Sequence, residues 1–195
     1  LPISHAASYP ERAVTIVVPA APGGGGDFTA RLLADGLAKQ LGQSVIVENR
    51  AGAGGNIAAQ YVARTQPDGY TLLLAYSGTH VANATLYPDR QWDPVKSYAP
   101  VALAITAPHV IVVNKDLPVK DLKGLIEYAR QRPGEIDYAS SGYGTIQHIG
   151  TELLALRTGT RMTHVPYQGA GAAMADLLSG QVDLLVTTPP AVVGH

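Results

Sequence analysis

Hydrophobic positions along the chain follow two different spacings. Short β-branched runs such as AVTIVVPA (Ala13–Ala20) have the length and composition of buried strands. Elsewhere apolar residues recur at the three- and four-residue spacing of a helix, as at Phe28, Leu32 and Leu33. That first helix is expected to end at Gly42, because glycine adopts the left-handed conformation that commonly terminates helices.

The first half of the chain predicts the order strand, helix, strand, helix, strand. After the first strand and helix, SVIVEN forms the second strand, and the glycine cluster of RAGAGGNIAAQYVART leads into a second helix. YTLLLAYS (Tyr70–Ser77) is predicted as the third strand. This order requires right-handed crossovers, so we expect a parallel sheet with helices on both faces.

A second series of strands and helices follows. The apolar stretch VALAITAPHVIVVNKD is interrupted by Pro108, and we interpret it as a strand that leaves one domain and enters another, with hinge strands near Ala102–Ile111. PVKDLKGLIEYARQRPG is a capped helix with Asp121 in its first turn. The remaining elements are predicted in the order strand IDYASS, a helix after GYG, strand MTHVPY, helix GAGAAMADLLSG and strand VDLLVTT.

These patterns predict an α/β protein of two domains, each a mostly parallel sheet flanked by helices. Domain I is expected to span residues 9–105 and domain II residues 106–195. Residues 1–8 contain small and apolar residues typical of a signal-peptide remnant, and an ordinary disordered terminus is the alternative.

Glycine-rich loops precede helices at four places along the chain. They lie at Gly23–Gly26, Gly52–Gly55, Gly142–Gly144 and Gly169–Gly171. Glycines let backbone N–H groups approach a ligand closely, and a helix N-terminus carries about half a positive charge. Such loops therefore predict an anion site that needs no basic side chain.

The first loop does not match a nucleotide site. A phosphate-binding loop needs a lysine after its last glycine, whereas Asp27 stands there. We expect Asp27 to cap its own helix by accepting N–H bonds at Thr29 or Ala30, and a direct role in holding a ligand amine or water is the alternative. Phe28 is interpreted either as a core residue or as a ring that faces the ligand.

The loop SSGYGT places hydroxyl groups around glycines at a strand-to-helix turn. It resembles a nucleophile elbow only superficially, because Tyr138 stands where the first glycine is needed. His148 is either a packed or surface histidine, or it orients the loop or donates to a ligand. A serine hydrolase using Ser141 and His148 remains an alternative, but it requires a carboxylate behind His148 and the sequence suggests none.

Composition excludes several classes of function. The net charge is −1 and basic residues are scattered, which argues against nucleic-acid binding. The absence of cysteine rules out disulfides and thiolate zinc sites, and the histidines lack metal-site spacing, so we expect no metal and no cofactor. No apolar run is long enough to span a bilayer, so direct membrane insertion is not expected.

Three long segments give the chain a specific family resemblance. The first extends from YPERAVTIVV to DGYTLLL, the second from DLPVKDLKGLIEY to QHIGTELL, and the third is HVPYQGAGAAMADLLSGQVDLL. From Tyr9 to His195 the chain resembles the substrate-binding proteins of tripartite tricarboxylate transporters, the Bug or TctC family. The resemblance implies a type II periplasmic-binding-protein-like architecture, with a cleft between two domains.

The same resemblance implies an exported, periplasmic and monomeric receptor that is not an enzyme. It would close around a small mono- or dicarboxylate and deliver it to the membrane subunits of a transporter. A sensor that presents the ligand to a signalling partner is the alternative. The ligand-binding residues that the resemblance implies are Pro22, Gly23, Gly24, Gly25, Asp27, Phe28, Ser77, Gly78, Thr79, Ser141, Gly142, Gly144, Thr145, His148, Thr187, Thr188 and Pro190.

The chain differs from the family pattern in two ways. The first loop, APGGGGD, has glycines where many members carry larger residues, which predicts a roomier pocket on that side. Family members also continue beyond this point and return to the first domain, so the chain looks truncated in domain II. If the remainder is absent, we expect domain I to show an unsatisfied sheet edge and exposed apolar surface.

Overall fold

A computed structural model of the chain describes residues 9–195. The predicted signal-peptide remnant at residues 1–8 lies outside the described residues. The described chain forms two separate sheets, one of three strands and one of four, each with helices packed on it. We keep the names domain I and domain II for the predicted division at residue 105.

The sheet of domain I is parallel, as predicted, with strand order β2-β1-β3. Its elements are β1 (Val14–Val18), α1 (Gly25–Leu41), β2 (Val45–Asn49), a short 3₁₀ turn (Ala53–Gly55), α2 (Asn56–Ala63), β3 (Thr71–Leu73) and α3 (Ser77–Leu86). The central strand β1 is the most buried because it has a neighbour on each side and α1 across one face. The predicted end of α1 is confirmed, since Gly42 adopts a left-handed φ of 65°.

A small apolar cluster joins α1 to the first sheet. Ile16 and Val18 of β1 pack against Ala30 and Ala34 of α1. Because two of these four residues are alanines, the helix backbone approaches the strands closely. This packing fixes the N-terminus of α1 at the carboxyl edge of the sheet, where ligands bind in open α/β folds.

The third strand is shorter than predicted, and α3 was not predicted. The predicted strand Tyr70–Ser77 ends at Leu73, and Ser77 is the first residue of α3. The helix is held by tertiary hydrogen bonds, in which Thr79 Oγ1 and Asn83 Nδ2 donate to the carbonyl of Gly54 over 2.9 and 3.0 Å. These partners lie some 25 to 29 positions away in sequence, so local periodicity does not reveal them.

The second sheet has the order β4-β7-β5-β6, with β4 antiparallel to β7 and the other pairs parallel. The prediction of a mostly parallel sheet is confirmed. Its elements are β4 (Val110–Val113), α4 (Leu122–Gln131), β5 (Asp137–Ser140), α5 (Ile146–Thr158), β6 (Thr163–Pro166), α6 (Ala170–Ser179), β7 (Leu184–Thr187) and a 3₁₀ turn (Pro189–Ala191). Asp121 caps α4 by accepting the N–H of Gly124 over 2.7 Å, one position before the first turn in which it was expected.

The core of the second sheet lies on both of its faces. Tyr138 and Leu184 belong to one cluster, whereas Ala139 and Leu185 belong to a second cluster beneath α6. All four side chains are fully buried. Successive residues of a strand point to opposite faces, so β5 and β7 each contribute to both clusters.

The predicted hinge strand at Ala102–Ile111 is wrong for most of its length. Regular structure begins only at Val110, and residues 98–109 form no helix or strand. A strand needs a neighbour for its backbone N–H and C=O groups, and residues 9–195 supply none there. Val101 and Leu103 in this segment are 83% and 82% exposed.

None of the helices in residues 9–195 combines the length and the apolar character that crossing a membrane requires.

Candidate functional site

The N-terminus of α1 lies directly against domain II. A Cβ placed on Gly24 would lie 3.4 Å from the Cβ of Ala170, the first residue of α6. The backbone N–H of Ala21 donates to the carbonyl of Gln168 over 3.2 Å. The neighbour of the first glycine loop is therefore the loop before α6, a recurring glycine motif that was not among the predicted site residues.

The predicted capping role of Asp27 is wrong. Gly24 is the N-cap of α1 and provides no side-chain cap, whereas Asp27 lies inside the first turn. One carboxylate oxygen accepts the N–H of Gly23 over 3.1 Å, and both oxygens accept bonds of 3.0 Å from Arg31. The Asp27 carboxylate therefore bonds both to the loop before α1 and to the next turn of the helix.

The charge of Asp27 is locally balanced. Burial raises the pKa of its carboxyl, but hydrogen bonds from Arg31 and Gly23 outweigh burial and hold the pKa below its ordinary value. Asp27 is therefore ionised at neutral pH and paired with a cation. The acidic residue that excluded a phosphate loop does not leave an unpaired negative charge at the helix N-terminus.

Two hydroxyl groups occupy the space beside Gly25 and Gly26. A methyl group on Gly25 would overlap the hydroxyl of Thr188, and one on Gly26 would overlap the hydroxyl of Tyr76. Thr188 lies just beyond β7 in domain II, whereas Tyr76 is the N-cap of α3 in domain I. The prediction of a roomier pocket is therefore wrong at these two glycines, because other side chains have taken the space.

The second glycine loop is held by its own side chains. Thr145 is the N-cap of α5, where its hydroxyl accepts the N–H of His148 over 3.4 Å and donates to the carbonyl of Gly142 over 2.8 Å. His148 Nδ1 accepts the N–H of Gly144 over 3.3 Å. Of the alternatives for His148, the structure therefore favours orienting the loop.

A buried polar network lies behind the second loop. The Oγ of Ser140 is 2.6 Å from Nε2 of His164 and accepts the N–H of Gly142 over 3.0 Å. The rings of His148 and His164 stack with centroids 4.3 Å apart. Burial and the neighbouring His148 lower the pKa of His164 to about 4, so the network is neutral at pH 7.

The turn at Ser77–Thr79 contacts the second loop from domain I. A Cβ on Gly78 would lie 2.9 Å from the carbonyl oxygen of Gly144, so the two backbones touch. Ser77 is exposed and Thr79 is buried, with the Thr79 hydroxyl committed to Gly54. Gly78 therefore brings the start of α3 against the second loop.

The remaining predicted residues differ in their access to this contact region. Phe28 is 57% exposed, so it does not belong to the core. Pro22 and Pro190 are also exposed, whereas Thr187 is buried within β7. The structure also places here residues that were not among those predicted: Tyr76, Ser140, His164 and Gly169–Gly171.

The histidines do not complete a hydrolase site. His148 Nδ1 is occupied by the N–H of Gly144, and Glu152, one turn further along α5, accepts the hydroxyl of Tyr138. Ser140 is fully buried beside His164, whose Nδ1 is buried without a partner among residues 9–195. A serine nucleophile needs an oriented base and an accessible hydroxyl, and the buried Ser140 beside His164 lacks the second of these.

Other parts of the described chain bring fewer unpaired polar groups together. The described residues contain no group of three or more His, Cys, Asp or Glu side chains that could hold a metal ion. An open groove of about 510 Å³ lies between α4 and the C-terminal end of α5. Its Arg130 side chain already donates twice to the carbonyl of Thr158, at 3.0 and 2.8 Å.

Comparison with known proteins places the chain in a family. Residues 29–195 match the family described as tripartite tricarboxylate transporter family receptor, TctC. Protein BugT of Bordetella pertussis is 41% identical over 195 residues, which are 100% of this chain and 60% of that protein. The chain thus spans about 60% of the length of this curated relative.

Solved structures show the same fold. R. palustris Rpa4515 with adipate matches with a TM-score of 0.91 and 42% identity, over 94% of this chain and 62% of that one. MatC from Rhodopseudomonas palustris with bound malate matches with a TM-score of 0.89 and 38% identity, over 95% and 63%. The periplasmic binding protein BugD matches with a TM-score of 0.88 and 40% identity, over 92% and 60%.

These matches agree with the geometry described above, in which two α/β units meet at glycine-rich helix N-termini. The architecture is that of a periplasmic binding protein, and the chain is shorter than its relatives. The chain belongs to the TctC family of tripartite tricarboxylate transporter receptors, which includes the Bug proteins.

Proposed function

We propose that this protein is an extracytoplasmic solute receptor. In this proposal it binds a small mono- or dicarboxylic acid between domains I and II in the periplasm, and delivers the acid to a tripartite tricarboxylate-type transporter. It performs no catalysis, uses no cofactor and acts as a monomer.

The start of α1 is the observation that carries the proposal. Gly24 supplies no capping side chain, so the first N–H groups of a 17-residue helix have no local side-chain acceptor. The same residues face Ala170 and Thr188 of domain II. A carboxylate placed here can accept backbone N–H bonds from α1 and interact favourably with the positive end of its dipole.

The charge balance around the loop also favours a carboxylate. Arg31 is paired with Asp27 and is not aimed at the loop as a free cation. Recognition would therefore rest on backbone N–H groups and hydroxyls, which select an acid by hydrogen bonding. Two of the similar structures were solved with adipate and with malate, which are both small dicarboxylates.

We propose that both sides of the domain contact hold the ligand. From domain I the residues are Pro22, Gly23, Gly24, Gly25, Asp27, Phe28, Ser77, Gly78 and Thr79. From domain II they are Ser141, Gly142, Gly144, Thr145, His148, Thr187, Thr188 and Pro190. In this set the contribution of Asp27 and His148 is to hold their loops, through Gly23 and Gly144 respectively.

Thermal denaturation of the full-length protein with matched acids and amides tests the proposal. A ligand at one hundred times its Kd stabilises the folded state by about 2.7 kcal/mol. We expect succinate, malate or adipate to raise Tm, and the corresponding diamides to leave it unchanged. Equal stabilisation by acids and amides, or no response to any acid, would contradict the proposal.

A further inference from the structure

The ring of Tyr76 packs on the core of domain I, and its hydroxyl reaches the start of α1. Its ring packs on the cluster formed by Ile16, Val18, Ala30 and Ala34. Its hydroxyl lies against the Cα of Gly26, in the space that a side chain at position 26 would fill. The core beneath the ring therefore holds the hydroxyl at the second residue of α1.

That hydroxyl has no hydrogen-bond partner among residues 9–195. Burial and the charge of Asp27 raise the pKa of the phenol, so it keeps its proton at neutral pH. A neutral phenol has one hydrogen to donate and is most strongly bound by an anionic acceptor. The negative charge of Asp27 is committed to Gly23 and Arg31, which leaves the phenol hydrogen available.

A second unpartnered hydroxyl lies beside the neighbouring glycine. The Oγ1 of Thr188 is buried without a partner in the described part of the chain, and it occupies the space beside Gly25. One hydroxyl from each domain thus lies at the first two residues of α1. Buried polar groups without a partner are uncommon in native proteins, and a ligand that enters between the domains would satisfy the Thr188 hydroxyl.

We propose that Tyr76 is a specificity-determining residue of the carboxylate site, whose hydroxyl donates to the ligand and whose ring limits the space beside Gly26. This inference rests on the proposed receptor function. The neutral phenol hydroxyl of Tyr76, held in place by the core, donates one hydrogen bond to the acid. The phenol also extends toward α1, and this limits the length of the acid that fits.

Removal of the hydroxyl alone is the first test. Tyr76→Phe keeps the ring and its packing, so the fold should be retained. We expect isothermal titration of the full-length protein to show about tenfold weaker binding of both malate and adipate, because a hydrogen bond to a charged group is lost. Tyr128→Phe is the control, since its ring lies on α4 beside Arg132, and it should bind both acids as the wild type does.

Removal of the ring is the second test. Tyr76→Ser keeps a hydroxyl on a shorter side chain and opens space beside Gly26. We expect the ratio of the malate Kd to the adipate Kd to shift in favour of adipate by about fivefold or more, since each additional methylene that fits a pocket improves binding severalfold. Tm measurements on each variant verify that it is folded before titration.

The outcomes separate this inference from the proposed function. If the wild type binds none of succinate, malate, glutarate and adipate, the receptor proposal fails and this inference fails with it. If the wild type binds an acid and Tyr76→Phe binds it within twofold of the wild type, the phenol does not donate to the ligand. An unchanged malate-to-adipate ratio in Tyr76→Ser would equally overturn the role in specificity.

Discussion

Both α1 and α5 begin after a glycine-rich loop, but the two helix N-termini differ in how their N–H groups are satisfied. The α5 loop is closed by its own side chains, with Thr145 as the cap and His148 bonded to Gly144. The α1 loop has a glycine cap without a side-chain acceptor, and Asp27 bonds outside the cap, to Gly23. Glycine-rich loops thus produce one turn that its own side chains satisfy and one turn whose N-cap has no side-chain acceptor.

The difference indicates separate roles for the two loops. Uncapped N–H groups at the start of α1 can bind an anion directly, whereas the α5 loop is held in place by its own cap. Preorganisation lowers the ordering cost of binding, so a rigid second loop contributes even where its own amides are partly occupied. Substitutions that affect one loop at a time test this division.

The largest effect is expected from Asp27→Ala in the first loop. The substitution removes the acceptor of the Gly23 N–H and the partner of Arg31. The Asp27 side chain is only 8% exposed, so we expect a loss of about 1–3 kcal/mol in the free energy of unfolding, measured by urea denaturation. Carboxylate affinity should also fall, because Gly23 and Gly24 lose their fixed position.

Asp35→Ala is the matched control for this experiment. Asp35 is an exposed residue further along the same helix, and its removal should change stability by less than about 0.5 kcal/mol. If both alanine variants behaved alike in urea and in titration, Asp27 would have no special role in holding the first loop.

A smaller effect is expected from Thr145→Ala in the second loop. The substitution removes the α5 cap and should reduce the free energy of unfolding by about 1 kcal/mol. Asp121→Ala removes the cap of α4, which lies away from the domain contact, and should cost a similar amount. The two variants should differ in titration, with weaker carboxylate binding only for Thr145→Ala.

Equal carboxylate affinities for the two cap variants would contradict this expectation. In that case the rigidity of the second loop would be unimportant for binding, and only the first loop would contribute to carboxylate affinity.

The smallest effect is the contribution of His164, behind the second loop, to the pH dependence of stability. His164 has a folded pKa of about 4, below the ordinary value of 6.5, so the unfolded chain binds more protons between these values. Stability from this group is therefore fully present above about pH 6.5 and is lost as the pH falls toward 4. The groups that face it are His148, Glu152, Tyr138 and Tyr143.

Tm measured from pH 7 to pH 4.5 checks this dependence. We expect a decrease of a few degrees in the wild type and a flatter profile in His164→Gln, which retains a polar side chain beside Ser140. The pKa of Asp27 lies below its ordinary value, so its protonation falls outside this range and does not contribute. Parallel profiles for the two proteins would show that His164 does not titrate with folding.

Sequence patterns were sufficient for the elements whose signals are local. The β-branched run of β1, the left-handed glycine that ends α1 and the acidic cap of α4 each depend on a few neighbouring residues. The predicted length of β3 and the predicted hinge strand were wrong for the opposite reason. Both contain apolar runs, but whether such a run becomes a strand depends on a neighbouring strand that local sequence does not specify.

The candidate site shows the same division. From the sequence alone, glycine loops at helix starts indicated an anion site, and Asp27 argued against phosphate. The tertiary structure alone brought Tyr76 and Thr188 to adjacent glycines of α1, from positions about 50 and 160 residues away along the chain. Periodicity and capping act over one or two helical turns, whereas the meeting of these hydroxyls depends on how the sheets, crossovers and domains pack together.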